Sequence, residues 1–114
     1  MGMRQNIELS YANESCKIYI YSHWEGDELL TDSGLAKALA DALYRRVRWD
    51  DEAYLARIII SEVIADAMGK ETGYGISPYE IGSEFPTIKV NLDANRVNDM
   101  TFEEFLEHME AARF

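Results

Sequence analysis

The residue types best suited to nucleophilic, acid–base or metal chemistry are scarce in this 114-residue chain: Cys16, His23 and His108. A catalytic cysteine needs a base beside its thiolate. Cys16 and His23 lie in one alternating segment at odd separation, so a strand points them to opposite faces. His108 stands far along the chain, and nothing in the sequence brings it to Cys16. The expectation for Cys16 is therefore a small buried hydrophobe. Zinc needs several His, Cys or carboxylate ligands at workable spacing, and the chain has neither paired cysteines nor His-Glu-x-x-His. Glu104 and His108 share a helical face as an ordinary i, i+4 pair. Acids are plentiful, yet no triplet of them stands out as a magnesium cage. The glycine-rich phosphate loops and the Gly-x-Ser-x-Gly elbow are also missing. No catalytic residue, metal or cofactor is assigned.

Binding chemistry is better represented. Tyr19, Tyr21 and His23 form a stripe on one face of a strand, richer in aromatics than a solvated face requires. They read either as a contact surface or as cross-strand packing partners. The segment Glu71-Thr-Gly-Tyr-Gly-Ile-Ser-Pro-Tyr79 combines glycines, a proline and two tyrosines. That composition suits a binding loop or a bulged strand. Arg57 offers a bidentate anion contact or a local ion pair with Asp50, Asp51 or Glu62. The binding candidates are Tyr21, His23, Trp24, Arg57, Glu71, Tyr74 and Tyr79. An enzyme would need acids converging in a cleft, with Glu71 and Glu80 beside His23 the ones to inspect.

The elements that position these residues follow from periodicity. Ile7, Leu9 and Tyr11 alternate with polar neighbours, and residues 16–24 alternate again after Ala12-Asn13-Glu14-Ser15, which predicts an antiparallel hairpin. A helix is predicted from Thr31, Asp32 or Ser33, with Leu35, Leu39, Leu43 and Val47 in one stripe. Asp50-Asp51-Glu52 opens a second helix, with Ala56, Ile59, Ile60, Val63, Ile64 and Ala67 on its main face. Ile58 points elsewhere, so this helix reads as the central one, and Gly69 as its stop. The Gly-Tyr-Gly segment follows as a bulged strand. Ile88, Val90 and Leu92 form a further strand, with a short edge at Arg96-Val97. Thr101-Phe102-Glu103-Glu104 is a capping box, with Met100 placed to staple onto Phe105. The order β-β-α-α-β-β-α predicts one α+β domain over residues 1–114, an antiparallel sheet of about four strands with helices packed on one face.

Eleven Lys and Arg against twenty-one Asp and Glu give a net charge of −10. Direct nucleic-acid binding needs clustered positive charge and is not expected. A basic partner suits the surface, and mimicry of nucleic acid by an acidic face is the sharper alternative. A single cysteine fits a reducing cytosol. No apolar run reaches membrane-spanning length, and the opening residues lack the pattern of a secretory leader or a myristoylation signal.

Several segments taken together carry a resemblance: Met3-Arg4, Tyr21-Ser-His-Trp24, Arg48-Trp-Asp-Asp51, Tyr54-Leu-Ala-Arg-Ile58, Glu71-Thr-Gly-Tyr-Gly-Ile76 and Pro86-x-Ile-x-Val-x-Leu92. In this order they resemble small uncharacterised proteins encoded by phages, prophages and some bacterial genomes. The resemblance implies a protein acting in the host cytoplasm, as an inhibitor or binder of a host defence component, and carries no catalytic residue across. The expectation is a small acidic binding protein for a host protein or a small-molecule ligand. The alternatives are a hydrolase-like enzyme with a carboxylate/His site and a self-assembling structural protein, a homo-oligomer joined through Ile58 and Ala65.

Overall fold

The computed structural model describes residues 4–23, 34–67, 69–71, 73–83 and 85–111. Within them the chain forms β1 (Gln5–Tyr11), β2 (Cys16–Ser22), α1 (Gly34–Leu43), α2 (Glu52–Val63), a short 3-10 turn (Ala65–Ala67), β3 (Tyr74–Ser77), β4 (Ile88–Asn91), β5 (Arg96–Val97), β6 (Met100–Thr101) and α3 (Phe102–Ala111). The helix start at Thr31–Ser33 and Trp24 lie outside the described residues. The fold is α+β, as the alternation predicts, but the sheet is larger and mixed. Six strands run in the order β3-β2-β1-β4-β5-β6, and β1 pairs parallel with β4, Ile7 opposite Ile88 and Leu9 opposite Val90.

Alternation fixes the two faces of this sheet. Ile7, Leu9, Ile20, Ile88 and Val90 are buried against the helices, with Leu39 and Leu43 of α1, Leu55 and Ile59 of α2, and Phe102 and Phe105 of α3. The middle helix is α1, which contacts both α2 and α3; α2 lies to one side. The expectation of a central α2 is thus corrected. Its apolar excess belongs to a helix on the flank of the layer. Its buried face is Leu55, Ile58, Ile59 and Val63, whereas Ala56, Ile60 and Ile64 are only half-buried. Ile58 is therefore core, and the proposed self-association face through Ile58 and Ala65 does not exist as such. Val47 is exposed, because α1 ends at Leu43 and the chain turns at Arg46, whose φ is +54°.

The segment around Tyr74 is regular rather than bulged. β3 pairs residue for residue with β2, Tyr74 opposite Ser22 and Ile76 opposite Ile20. Gly69, with φ of +82°, follows the 3-10 turn and not α2, which stops at Val63. Cys16 is exposed, contrary to the expectation of burial. It is the first residue of β2, next to the hairpin turn.

Helix ends follow their sequence signals. The Asp51 carboxylate accepts from the Tyr54 N–H at 3.1 Å and caps α2. The capping box forms in both directions: Thr101 Oγ1 accepts from the Glu104 N–H at 3.1 Å, and Glu104 Oε1 accepts from the Thr101 N–H at 2.8 Å. Thr101→Ala should cost about 1 kcal/mol, the usual loss for a threonine cap, read by urea unfolding at neutral pH. The Thr101 backbone N–H, with help from its side chain, holds the Glu104 carboxyl below its ordinary value of 4.5. A depressed carboxyl stabilises the fold above its unfolded value and loses that contribution as pH falls through the folded one. Thr101→Ala keeps the backbone donor, so it is the gap between wild type and Glu104→Ala that should narrow in acid.

Candidate functional site

The second face of the sheet carries the predicted tyrosine stripe, with Tyr19 buried and Tyr21 and His23 half-buried. Asn6, Glu8, Ser10 and Tyr19 are buried there, and the chain that returns from β3 to β4 is held at the Asn6 end. The Asn6 amide grips one residue of that crossing from both sides: Nδ2 donates to the Ile81 carbonyl at 2.7 Å and Oδ1 accepts from the Ile81 N–H at 3.3 Å. Gln5 Nε2 donates to the Pro86 carbonyl at 2.7 Å, and the Phe85 N–H donates to the Arg4 carbonyl. Sequence reasoning found the strands but not this strap, because neither the buried amide nor its partner has a periodic signal.

Beside the strap, the Tyr19 hydroxyl donates to Glu8 Oε2 at 3.0 Å, and Lys17 Nζ stands 3.8 Å from the same oxygen. Glu8 is only 4% exposed. Burial, then the hydrogen bond to Glu8 and the charges of Glu8 and Glu80, raise the Tyr19 phenol above its ordinary value of 10.0. The phenol is therefore a donor at neutral pH. One step along the strand, Tyr21 Oη and His23 Nδ1 lie 2.9 Å apart, with the rings edge-on at 6.2 Å. The His23 N–H donates to the Gly73 carbonyl. The Tyr19–Glu8 contact is cross-strand, as the packing reading expects, whereas Tyr21 and His23 pair along one strand and stay half-buried.

The other predicted binding residues do not join them. Tyr74 opposes Ser22, so its side chain lies on the helix side, where it packs half-buried on the core. His23 lies on the opposite face, so Tyr74 and His23 frame no common opening. Tyr79 is 68% exposed in the loop after β3. Glu71 is exposed before β3, and Glu80 follows it, accepting from the Thr87 hydroxyl at 2.7 Å. A whole strand separates these two acids in sequence. Arg57 is exposed on α2 without the expected local ion pair. Glu62 instead pairs with Arg45 at 2.8 Å, and Asp51 is used as the cap. No group of three or more His, Cys, Asp or Glu among the described residues could hold a metal ion.

A polar opening of about 220 Å³ lies between α1 and α2 beside Lys37, Asp41 and Glu62; two more, apolar ones, lie along the outer flank of α2, where no further helix covers the β2–β3 side of the sheet among the described residues. Towards the hairpin, a groove of about 310 Å³ is lined by Tyr11, Ile18, Ala53, Ala56 and Ile60, with Glu52 at its lip. Towards the other end of α2, a shallower groove of about 250 Å³ is lined by Ile64, Ala67, Lys70, Tyr74, Gly75 and Ile76. Ile60 and Ile64 were expected in the core, and Ile18, Ala53 and Ile76 were not singled out. The signal for them was present as an apolar surface on α2 wider than one face needs. A separate corner presents arginines on aromatics. Arg46 lies over Trp49 at 5.5 Å and Arg48 over Tyr54 at 4.8 Å. Arg46 also pairs with Glu103, and Trp49 packs edge-on against Phe102 at 5.1 Å, so this corner ties α1 and α2 to α3.

Comparison of the chain with family models, curated protein sequences and solved structures finds no match. No helix among the described residues is long and apolar enough to cross a membrane.

Proposed function

We propose that this chain is a small acidic binding protein that holds an apolar, positively charged segment of a partner protein in the groove between the β1–β2 hairpin and α2. The groove itself carries the reading. Its wall is built from Tyr11, Ile18, Ala53, Ala56 and Ile60, and its volume of about 310 Å³ is at the lower end of the range for ligand sites. Tyr11, 39% exposed, offers a broad apolar ring with a polar tip, a type favoured at interfaces. Glu52 at the lip follows Asp50 and Asp51, and the whole chain carries −10. That charge favours cationic partners and speeds their encounter. Arg57 flanks the same helix and adds a contact for a carboxylate beside the basic segment. In the phage setting that the sequence resemblance implies, the partner is a host protein met in the host cytoplasm, a defence component among the candidates.

The test is differential capture from host lysate on wild type and on Ala53→Arg. Ala53 is exposed on α2, so the substitution leaves the helix intact and places a cation on the groove wall. A basic protein retained by wild type, lost on Ala53→Arg and released by rising salt is the expected result. Identical captured sets would overturn the proposal. A small molecule co-purifying with wild type alone, seen by native mass spectrometry, would replace the protein partner with a sequestered ligand.

A further inference from the structure

The edge of the sheet at β3 has a backbone register that can be worked out residue by residue. The His23 N–H donates to the Gly73 carbonyl, so that pair is of the hydrogen-bonded type. Pair types alternate along an antiparallel ladder. Gly75, opposite Tyr21, and Ser77, opposite Tyr19, therefore turn their N–H and C=O groups towards β2. Ile76 turns its N–H and C=O away from the sheet. Its side chain, paired with Ile20, lies on the helix side and is 51% exposed. An exposed strand edge with an apolar side chain is a template for another strand, and Pro78 ends the usable edge because it brings no N–H.

We propose that two copies of this chain associate by antiparallel pairing of their β3 edges about a twofold axis at Ile76. The two Ile76 residues then exchange N–H···O=C bonds, and the sheet continues from one protomer into its partner. A twofold pair centred on one residue suits an edge as short as this one, since the hydrogen-bonded contact needs only Ile76 from each copy. The grooves walled by Ile64, Ala67 and Ile76 meet across the axis on the helix side. An isologous interface sets this self-complementary edge against its own copy. The hairpin groove lies at the other end of α2 and stays open in the pair, so the dimer would offer two such grooves.

Light scattering on a sizing column, from micromolar to sub-millimolar protein, reads this directly. The expected result is a concentration-dependent dimer that tightens as salt screens the repulsion between two acidic chains. Ile76→Asp, at a half-exposed position, should weaken it at least about tenfold, or ~1.4 kcal/mol, with an unchanged far-UV spectrum. Facing Cα atoms in such a pair lie within disulfide reach. Ile76→Cys on a Cys16→Ser background should therefore oxidise to a linked dimer much faster than Tyr79→Cys on the same background. A monomer at every concentration, or a dimer indifferent to Ile76→Asp whose Ile76→Cys links no faster than the Tyr79→Cys control, would overturn the inference.

Discussion

Tyr19→Phe should cost about 3 kcal/mol in chemical unfolding at neutral pH, above the usual range for a neutral hydrogen bond because the partner is a buried carboxylate. The Tyr19 hydroxyl is the donor at 3.0 Å to Glu8 Oε2. Without it the carboxylate keeps only Lys17, 3.8 Å away and itself partly solvated. Glu8→Leu should also be costly, because it strands the Tyr19 hydroxyl in a closed site. The double variant Glu8→Leu/Tyr19→Phe removes both polar groups together and should be more stable than Tyr19→Phe alone. The signature is thus a large coupling energy in the double-mutant cycle. Equal, additive losses would mean that the pair is not coupled. The pH dependence has a defined sign. A phenol raised in the folded state contributes fully below its ordinary value of 10.0 and loses that contribution as pH rises towards the folded value. The wild-type advantage over Tyr19→Phe should therefore shrink in alkali.

Asn6→Ala should cost about 2–3 kcal/mol and loosen residues 78–83 and 85–87 selectively. Asn6 is fully buried, and its amide satisfies both the N–H and the C=O of Ile81. Truncation leaves two backbone groups of the strap without their partner, each worth about 1–3 kcal/mol when water cannot replace it. Ile81 is only half-buried, so some water enters and the sum stays below the maximum. Asn6→Asp is the sharper variant. It keeps the acceptor for the Ile81 N–H but sets a carboxylate oxygen against the Ile81 carbonyl, so it should be at least as damaging as alanine. Hydrogen exchange should report early loss of protection at Ile81 and Phe85, with β1 and β2 protected until global unfolding. Uniform loss across the sheet would mean that Asn6 supports the whole core rather than the strap.

The grooves and the strap differ in how far they could be read from the residues. Alternation in Ile7–Leu9 and Ile18–Ile20 gives two strands and the face of each side chain, because the strand period is a local property. The Thr101–Glu104 box is equally local and forms as its spacing predicts; α2 opens at the predicted acids, with Asp51 as its cap and Glu52 in its first turn. The excess of isoleucine on α2 was visible but misread. A helix apolar on two sides can be buried on both or left half-covered, and periodicity does not distinguish them. The predicted binding set is not brought together in one place. Tyr21 and His23 are held by each other on one face, Tyr74 packs on the other, and Arg57, Glu71 and Tyr79 sit separately on the surface.

What the sequence by itself determined is the set of local elements: an acidic α+β chain with a β1–β2 hairpin, three helices among the described residues, the capping box of the last of them, and the in-or-out direction of most strand residues. These depend on φ/ψ preference, side-chain period and hydrogen bonds spanning only a few residues. Only the tertiary structure decided that β4 lies parallel beside β1, that α1 rather than α2 is the middle helix, that Asn6 anchors a crossing strap, and that grooves open beside Ile60 and Ile76. Those outcomes depend on which element covers which face. That choice is a competition among long-range burial and pairing energies, and no single segment carries it.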